Sequence, residues 1–141
     1  MSTRCAITFS DGTVTYPVGM YKHSDGYPEG QQWLLDFAKD FNKERGDDLE
    51  YAAAQCMAQV VMDYAEERKS WGFVKPEDKL KRQYLGVGAF AMHGETPEDI
   101  HGDLQYVYRV ELSPKGGKVF VRPAGTKTWK PLRIKKEKPS A

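Results

Sequence analysis

The sequence predicts an α+β fold: an antiparallel β-sheet of four to five strands with two α-helices packed on one face. Strand–turn–strand patterns stand at both ends of the chain, and a long stretch of helical periodicity lies between them. The resulting order is β-β-α-α-β-β-β. Hairpins separated by a run of helices are typical of helices lying on one face of an antiparallel sheet.

The first predicted hairpin joins residues 4–9 to residues 13–21 around an Asp11-Gly12 turn. Both strands are short and rich in β-branched and aromatic residues, which favour extended backbone. Pro17 lies inside the second strand and has no N–H to donate. This predicts that the second strand is an edge strand or carries a bulge at that point.

Two helices are predicted after residue 30. In the first, one face carries apolar side chains at helical spacing, namely Trp33, Leu34, Phe37, Ala38 and Phe41. Gly46 is placed to end this helix in a left-handed conformation. The second helix is predicted to start at Asp47, with Glu50 at capping-box spacing, and to carry an apolar stripe from Leu49 to Tyr64.

The rest of the chain predicts three further strands. Residues 71–73 suggest a packed loop, residues 76–78 a short helix and residues 85–92 a strand. A polar loop over 94–103 leads into a hairpin of residues 106–112 and 118–123. We therefore predict a single domain over residues 1–125, followed by a basic, flexible tail over 126–141.

Composition is ordinary for a globular protein of 141 residues, with 40% hydrophobic and 29% charged residues. No run of apolar residues approaches the length of a membrane span, and the first residues do not resemble a signal peptide. We therefore expect the cytoplasm of a host cell as the location and no membrane partner. Cys5 and Cys56 are isolated, which favours buried thiols over a disulfide and excludes a zinc-finger motif. No cofactor is predicted.

The net charge of +1 conceals two regions of opposite sign. Residues 25–67 hold eleven Asp and Glu against three Lys and Arg, whereas residues 115–138 hold nine Lys and Arg against one Glu. Both regions could simply be solvated surface. Alternatively, the basic end contacts nucleic acid or an acidic partner, or the two regions meet across an oligomer.

The histidines lie in loops beside glycine or acidic residues. His23, Asp25, His101 and Asp103 would make a two-histidine, two-carboxylate set suited to zinc or manganese, if their loops converge. The same carboxylates could serve acid–base chemistry. The simpler interpretation is that these side chains cap turns. The sequence contains no motif for a nucleophilic serine or cysteine and no phosphate-binding glycine loop.

Aromatic and basic residues suggest a second candidate surface. Alternation places Tyr106 and Tyr108 on one face of their strand, close in sequence to Arg109, Lys118 and Arg122. That face would be a platform for bases or a partner protein if it lay opposite the helices; otherwise the tyrosines pack beneath the helices. In the tail, nucleic-acid or partner contacts are predicted for Lys127, Trp129, Lys130 and Arg133.

Two segments resemble a family of small proteins encoded by bacteriophages and prophages. In that family a Tyr-(Lys/Arg)-His-x-Asp-Gly-Tyr-Pro segment, here residues 21–28, precedes a helix. A His-Gly-Asp segment, here residues 101–103, leads into a tyrosine-rich strand. The likeness spans residues 4–112 and implies that the two histidine loops lie close together. The predicted binding residues are His23, Asp25, Tyr27, His101, Asp103 and Tyr106.

Small phage proteins without enzyme motifs commonly bind a component of the host. The resemblance therefore implies a non-catalytic binding protein that blocks a host protein or protein–nucleic acid complex, as in counter-defence of the anti-CRISPR kind. The alternatives are a module that sequesters a nucleotide or metal, a small metal-dependent hydrolase using His23, Asp25, His101 and Asp103, and an accessory role in the virion or in DNA metabolism.

Overall fold

The structure is a computed structural model that describes residues 3–69 and 86–134. The described strands are β1 (Cys5–Ser10), β2 (Val18–Lys22), β3 (Val87–Ala91), β4 (Tyr106–Ser113), β5 (Gly116–Pro123) and β6 (Lys130–Pro131). The described helices are α1 (Gln32–Arg45), α2 (Leu49–Lys69) and the four-residue α3 (Pro97–Ile100). The loop predicted at 71–73, the helix at 76–78, the first residue of the strand predicted at 85–92 and the tail from residue 135 lie outside the described residues.

The strands form one sheet in the order β3-β2-β1-β4-β5-β6. The α+β class is confirmed, but the sheet has six strands and is mixed, because β1 and β4 run parallel in the centre. All other neighbouring strands are antiparallel. The chain between β1 and β4 is long enough for the crossover that a parallel pair requires. β6 was not predicted because it consists of only two residues, one of them a proline.

β2 is an inner strand, so of the two predicted possibilities, an edge strand or a bulge at Pro17, the edge position is wrong. It pairs with β1 on one side and with β3 on the other, and it begins only at Val18. Pro17 therefore precedes the ladder, and its carbonyl accepts a hydrogen bond from the Met92 N–H at 2.7 Å. The predicted turn at Asp11 is present, where the carboxylate accepts bonds from the Thr13 and Val14 N–H groups.

Both main helices lie on the same face of the sheet, as predicted. α1 packs on β4 and β5, whereas α2 packs on β1, β2 and β3. Gly46 ends α1 with a φ of +65°. Asp48, not Asp47, caps α2 by accepting a hydrogen bond from the Tyr51 N–H. At Gly117 the backbone of α1 approaches so closely that an added Cβ would lie 1.9 Å from the Ala38 carbonyl oxygen.

Two hydrophobic clusters lie on the two faces of the sheet. The larger lies beneath the helices and includes both cysteines, which are buried free thiols as predicted. Burial raises the pKa of the Cys5 thiol to about 12, so it stays protonated near neutral pH. The smaller cluster contains Ala6, Phe90, Leu104 and Val107, with Ile100 of α3 and Trp129 packed against it. Within the described residues, no helix combines the length and the apolar composition needed to cross a membrane.

Candidate functional site

Residues 23–31 connect β2 to α1, and the hydroxyl groups of two tyrosines hold the backbone of this connection. The Tyr64 hydroxyl donates to the Ser24 carbonyl at 2.7 Å, and the buried Tyr108 hydroxyl donates to the Gly26 carbonyl. At Gly26 an added Cβ would lie 2.8 Å from the Thr3 carbonyl oxygen. Gly26 and the carbonyl groups of Ser24 and Gly26 therefore hold this connection close to β1.

Asp25 lies apart from the histidines. Its φ is +58°, and its carbonyl accepts hydrogen bonds from the Gln31 amide and the Lys22 ammonium. The charge of its carboxylate contributes to the pKa values of Lys22 and Tyr64, both on the helix side of the sheet. Burial lowers the pKa of Lys22 and raises that of Tyr64 to about 12.

The two histidine loops meet at Tyr21. The Tyr21 ring stacks on the His101 ring with centroids 4.4 Å apart, and the His101 ring also meets Phe90 edge-on at 5.2 Å. The Tyr21 hydroxyl lies 3.1 Å from His23 Nδ1 and donates to Asp103 Oδ2 at 3.5 Å. Of the four predicted residues, the structure thus brings together His23, His101 and Asp103.

Arg4 completes this histidine cluster. Its Nε lies 3.2 Å from Asp103 Oδ2 and donates to His23 Nδ1 at 3.4 Å. Burial, followed by the Asp103 charge, raises the pKa of Tyr21, so the phenol stays protonated near neutral pH. Within residues 3–69 and 86–134, no group of three or more His, Cys, Asp or Glu side chains is arranged to hold a metal ion.

The other two predicted binding residues lie outside this cluster. Tyr27 is exposed and packs on Gly30, where an added Cβ would lie 3.0 Å from the ring. Tyr106 packs with Tyr108 in the core beneath the helices, so the tyrosines do not form an open platform. The basic side chains near them in sequence, Arg109 and Arg122, lie on the opposite face of the sheet.

The predicted tail residues are placed against the sheet as far as Ile134. β6 pairs with β5, and Leu132 is buried in the core. Trp129 is half-buried, with the guanidinium groups of Arg109 and Arg122 lying 4.6 Å and 4.8 Å from its ring. Lys127, Lys130 and Arg133 are exposed. Their predicted contacts with nucleic acid or a partner stay a prediction.

A groove beside α1 combines aromatic rings with carboxylates. Its volume is about 460 Å³, and we call it the acidic groove. It is lined by Trp33, Asp36, Phe37, Asp40, Phe41, Glu44, Arg45, Gln55 and Gln59. The aromatic residues recur every fourth position along α1, and the acidic residues recur with the same spacing three positions later. Successive turns therefore present a ladder of rings beside a ladder of carboxylates.

The carboxylates of the groove are exposed and take part in no ion pair among the described side chains. Asp36 accepts one hydrogen bond from Gln32. The nearby cation, Arg45, is held instead by Asp48 at 2.8 Å and by the Tyr51 ring at 4.1 Å. The predicted apolar face of α1 does pack against the core, but the groove beside it was not predicted. The repeated four-residue spacing of Asp36, Asp40 and Glu44 was the available signal.

Comparisons of the chain with protein-family models, with curated proteins and with solved structures find no match.

Proposed function

We propose that this protein is a non-catalytic binding protein whose acidic groove holds a basic, arginine-containing segment of a host protein. The observation that carries the proposal is the pair of ladders on α1. Trp33 and Phe37, which are partly exposed, give apolar area and ring faces on which guanidinium groups stack, whereas Phe41 is buried. The carboxylates give acceptors for the N–H groups of the partner. A partner with arginines at matching intervals would satisfy both.

The spacing of the carboxylates supports this proposal through its energetic cost. Asp36, Asp40 and Glu44 form two successive like-charged pairs at i,i+4. Each such pair destabilises a helix by about 0.2–0.5 kcal/mol. No cation of the described chain pairs with them. A cationic partner would relieve this repulsion, so binding energy is available there without any change of fold.

The surrounding surface has the same sign. Of the eleven acidic residues between positions 25 and 67, ten are exposed, and Asp48 alone is partly buried. The negative electrostatic potential of these residues accelerates the approach of a positively charged protein and makes binding sensitive to salt. Basic segments are also the parts of proteins that hold nucleic acid. Occupying one would block a host protein or protein–nucleic acid complex, which is the counter-defence role that we propose.

The proposed phage or prophage origin rests on the resemblance of residues 21–28 and 101–103. The alternative functions that use His23, Asp25, His101 and Asp103 gain no support from the geometry, because among the described residues no hydrogen bond or ion pair joins the Asp25 carboxylate to the other three and no such group is arranged to hold a metal ion. A cluster braced by Arg4 and Tyr21 is better explained as a clamp that joins the loop after β2 to the loop before β4.

An affinity capture from bacterial lysate with matched variants tests the proposal. The groove variant is D36N/D40N/E44Q, and the control variant is E29Q/D47N/D63N, which makes the same charge change at exposed sites outside the groove. We expect the wild type and the control to retain one stoichiometric host protein after nuclease treatment. The groove variant should lose it, and raised salt should weaken its capture.

Two results would contradict the proposal. One is retention of the same host protein by the groove variant as well as by the wild type. The other is capture that disappears with nuclease, which would move the binding function to nucleic acid and to Lys127, Lys130 and Arg133.

A further inference from the structure

A second cavity lies on the opposite face of the sheet, away from both helices. Its volume is about 380 Å³, within the range of small-molecule sites. Thr8 of β1 and Val107 of β4 line it, as do Met92, which follows β3, and Pro97, the first residue of α3. Arg109 and Trp129 also contribute to its lining. It therefore combines apolar side chains with one guanidinium group.

The Arg109 guanidinium lies close to two aromatic rings. Its Cζ atom is 4.9 Å from the Phe120 ring centroid and 4.6 Å from that of Trp129. Among the described residues it takes part in no hydrogen bond, and its Nε is buried without a partner. The nearest carboxylate oxygen belongs to Glu111, at 3.9 Å, which is too long for a hydrogen bond.

Arg122 provides a direct comparison, because its guanidinium lies at a similar distance from the same tryptophan. It donates twice to Glu98 and once to the Thr126 carbonyl. Buried polar groups are normally satisfied in this way, and an unsatisfied one needs an explanation such as a ligand or an ion. Arg109 is 28% exposed and has N–H groups to offer.

We propose that this cavity binds a small organic monocarboxylate. Its carboxylate would accept hydrogen bonds from Arg109, and its apolar or aromatic body would lie against Trp129, Met92 and Pro97. A planar guanidinium suits a carboxylate because two N–H groups can donate side by side. Glu95 also lines the cavity and Glu111 lies beside Arg109, so a doubly charged phosphate is disfavoured. This proposal does not depend on the acidic groove.

Titration of the intact protein with benzoate, benzamide and inorganic phosphate tests the site, with ¹H–¹⁵N spectra of the arginine Nε–H and tryptophan indole N–H signals. Benzamide keeps the shape of benzoate and lacks its charge. We expect saturable benzoate shifts at Arg109 and Trp129, at least tenfold weaker binding of benzamide, and no saturation with phosphate. Spectra of the R109K and W129F variants identify the signals of Arg109 and Trp129.

Two variants make the outcome decisive. R109K keeps the charge and loses the planar donors, so benzoate affinity should fall at least tenfold. E111Q removes the nearest competing carboxylate, so affinity should rise severalfold. Equal shifts with benzoate and benzamide, or unchanged benzoate binding in R109K, would overturn the proposal, as would saturable binding of phosphate at the same signals.

Discussion

The acidic groove on the helix side and the Arg122–Glu98 ion pair on the sheet side differ in how their charges are paired. On the helix side, the carboxylates of the acidic groove are exposed and take part in no ion pair with a described residue. On the sheet side, Arg122 is 7% exposed and forms a two-bonded ion pair with Glu98, and its guanidinium lies near Trp129. The first set of charges is available to a partner, whereas the second is committed to the fold. Whether a charged side chain is paired within the fold therefore says more about its role than the sign of the region that contains it.

The largest expected effect comes from Gly117, on which the position of α1 and of its groove depends. In G117A the new methyl group would meet the Ala38 carbonyl oxygen, so α1 has to move away from β5. We expect the free energy of unfolding to fall by about 3 kcal/mol, at the upper end for overpacking. Urea unfolding measures it.

The matched control is G88A in β3, where an added Cβ has room, because the nearest atom it would meet is the Tyr21 Cβ at 4.0 Å. It should change the free energy of unfolding by much less than G117A. Equal effects of the two substitutions would show that α1 is not seated through Gly117.

The second-largest expected effect on the free energy of unfolding concerns the ion pair between Arg122 and Glu98. The hydrogen bonds from Arg122 lower the pKa of Glu98 from its usual 4.5 to about 2. The pair therefore stabilises the protein above pH 4.5, and this contribution is lost as the pH falls towards 2. E98Q should cost about 2 kcal/mol near pH 6, because it also leaves Arg122 without its charged partner.

Urea unfolding of wild type and E98Q between pH 6 and pH 2.5 measures this contribution. The difference between the two proteins should shrink as the pH falls. E95Q, in the loop that precedes α3, is the control and should follow the wild type. A constant gap between wild type and E98Q across this range would contradict the proposed role of the ion pair.

A smaller effect is expected in the histidine cluster. H101A removes the ring that stacks on Tyr21 and meets Phe90, and it should cost about 1 kcal/mol of stability. If the cluster is a clamp, the variant still captures the host protein as the wild type does. Loss of capture by a folded H101A protein would instead place the binding site at the two histidine loops.

The smallest expected effect is a gain in stability, not a loss. Removing the like charges at positions 36, 40 and 44 should raise the free energy of unfolding by about 0.5 kcal/mol at low salt. The variant E29Q/D47N/D63N does not alter these pairs and should show no comparable gain. A loss of stability in D36N/D40N/E44Q would mean that the carboxylates serve the fold.

Local patterns predicted most of the elements. The stripe of α1 and its end at Gly46 follow from short-range rules, because helical spacing and a left-handed glycine act within a few residues. The parallel pairing of β1 with β4 depends on contacts about a hundred residues apart, and no local signal specifies it. The inner position of β2 was missed for the same reason, since its second neighbour, β3, is distant in sequence.

The candidate site was harder to predict than the fold. The convergence of His23, His101 and Asp103 was expected from the resemblance, but the position of Asp25 was not. Asp25 has a φ of +58° and its carbonyl accepts a hydrogen bond from Gln31, and no contact between its carboxylate and the histidines is present among the described residues. Of the acidic groove, only the negative net charge was predicted. Sequence periodicity does not distinguish an aromatic face that is buried from one that lines an open groove.

Photo-crosslinking in bacterial cells tests the central claim most directly. Benzoylphenylalanine replaces Gln55, an exposed residue lining the acidic groove, or Lys118, an exposed residue of β5. Mass spectrometry then identifies the adducts. We predict that position 55 crosslinks one host protein through a peptide rich in arginine and lysine, and that position 118 does not. Adducts formed only from position 118, or a crosslinked peptide without basic residues, would contradict the proposed function of the groove.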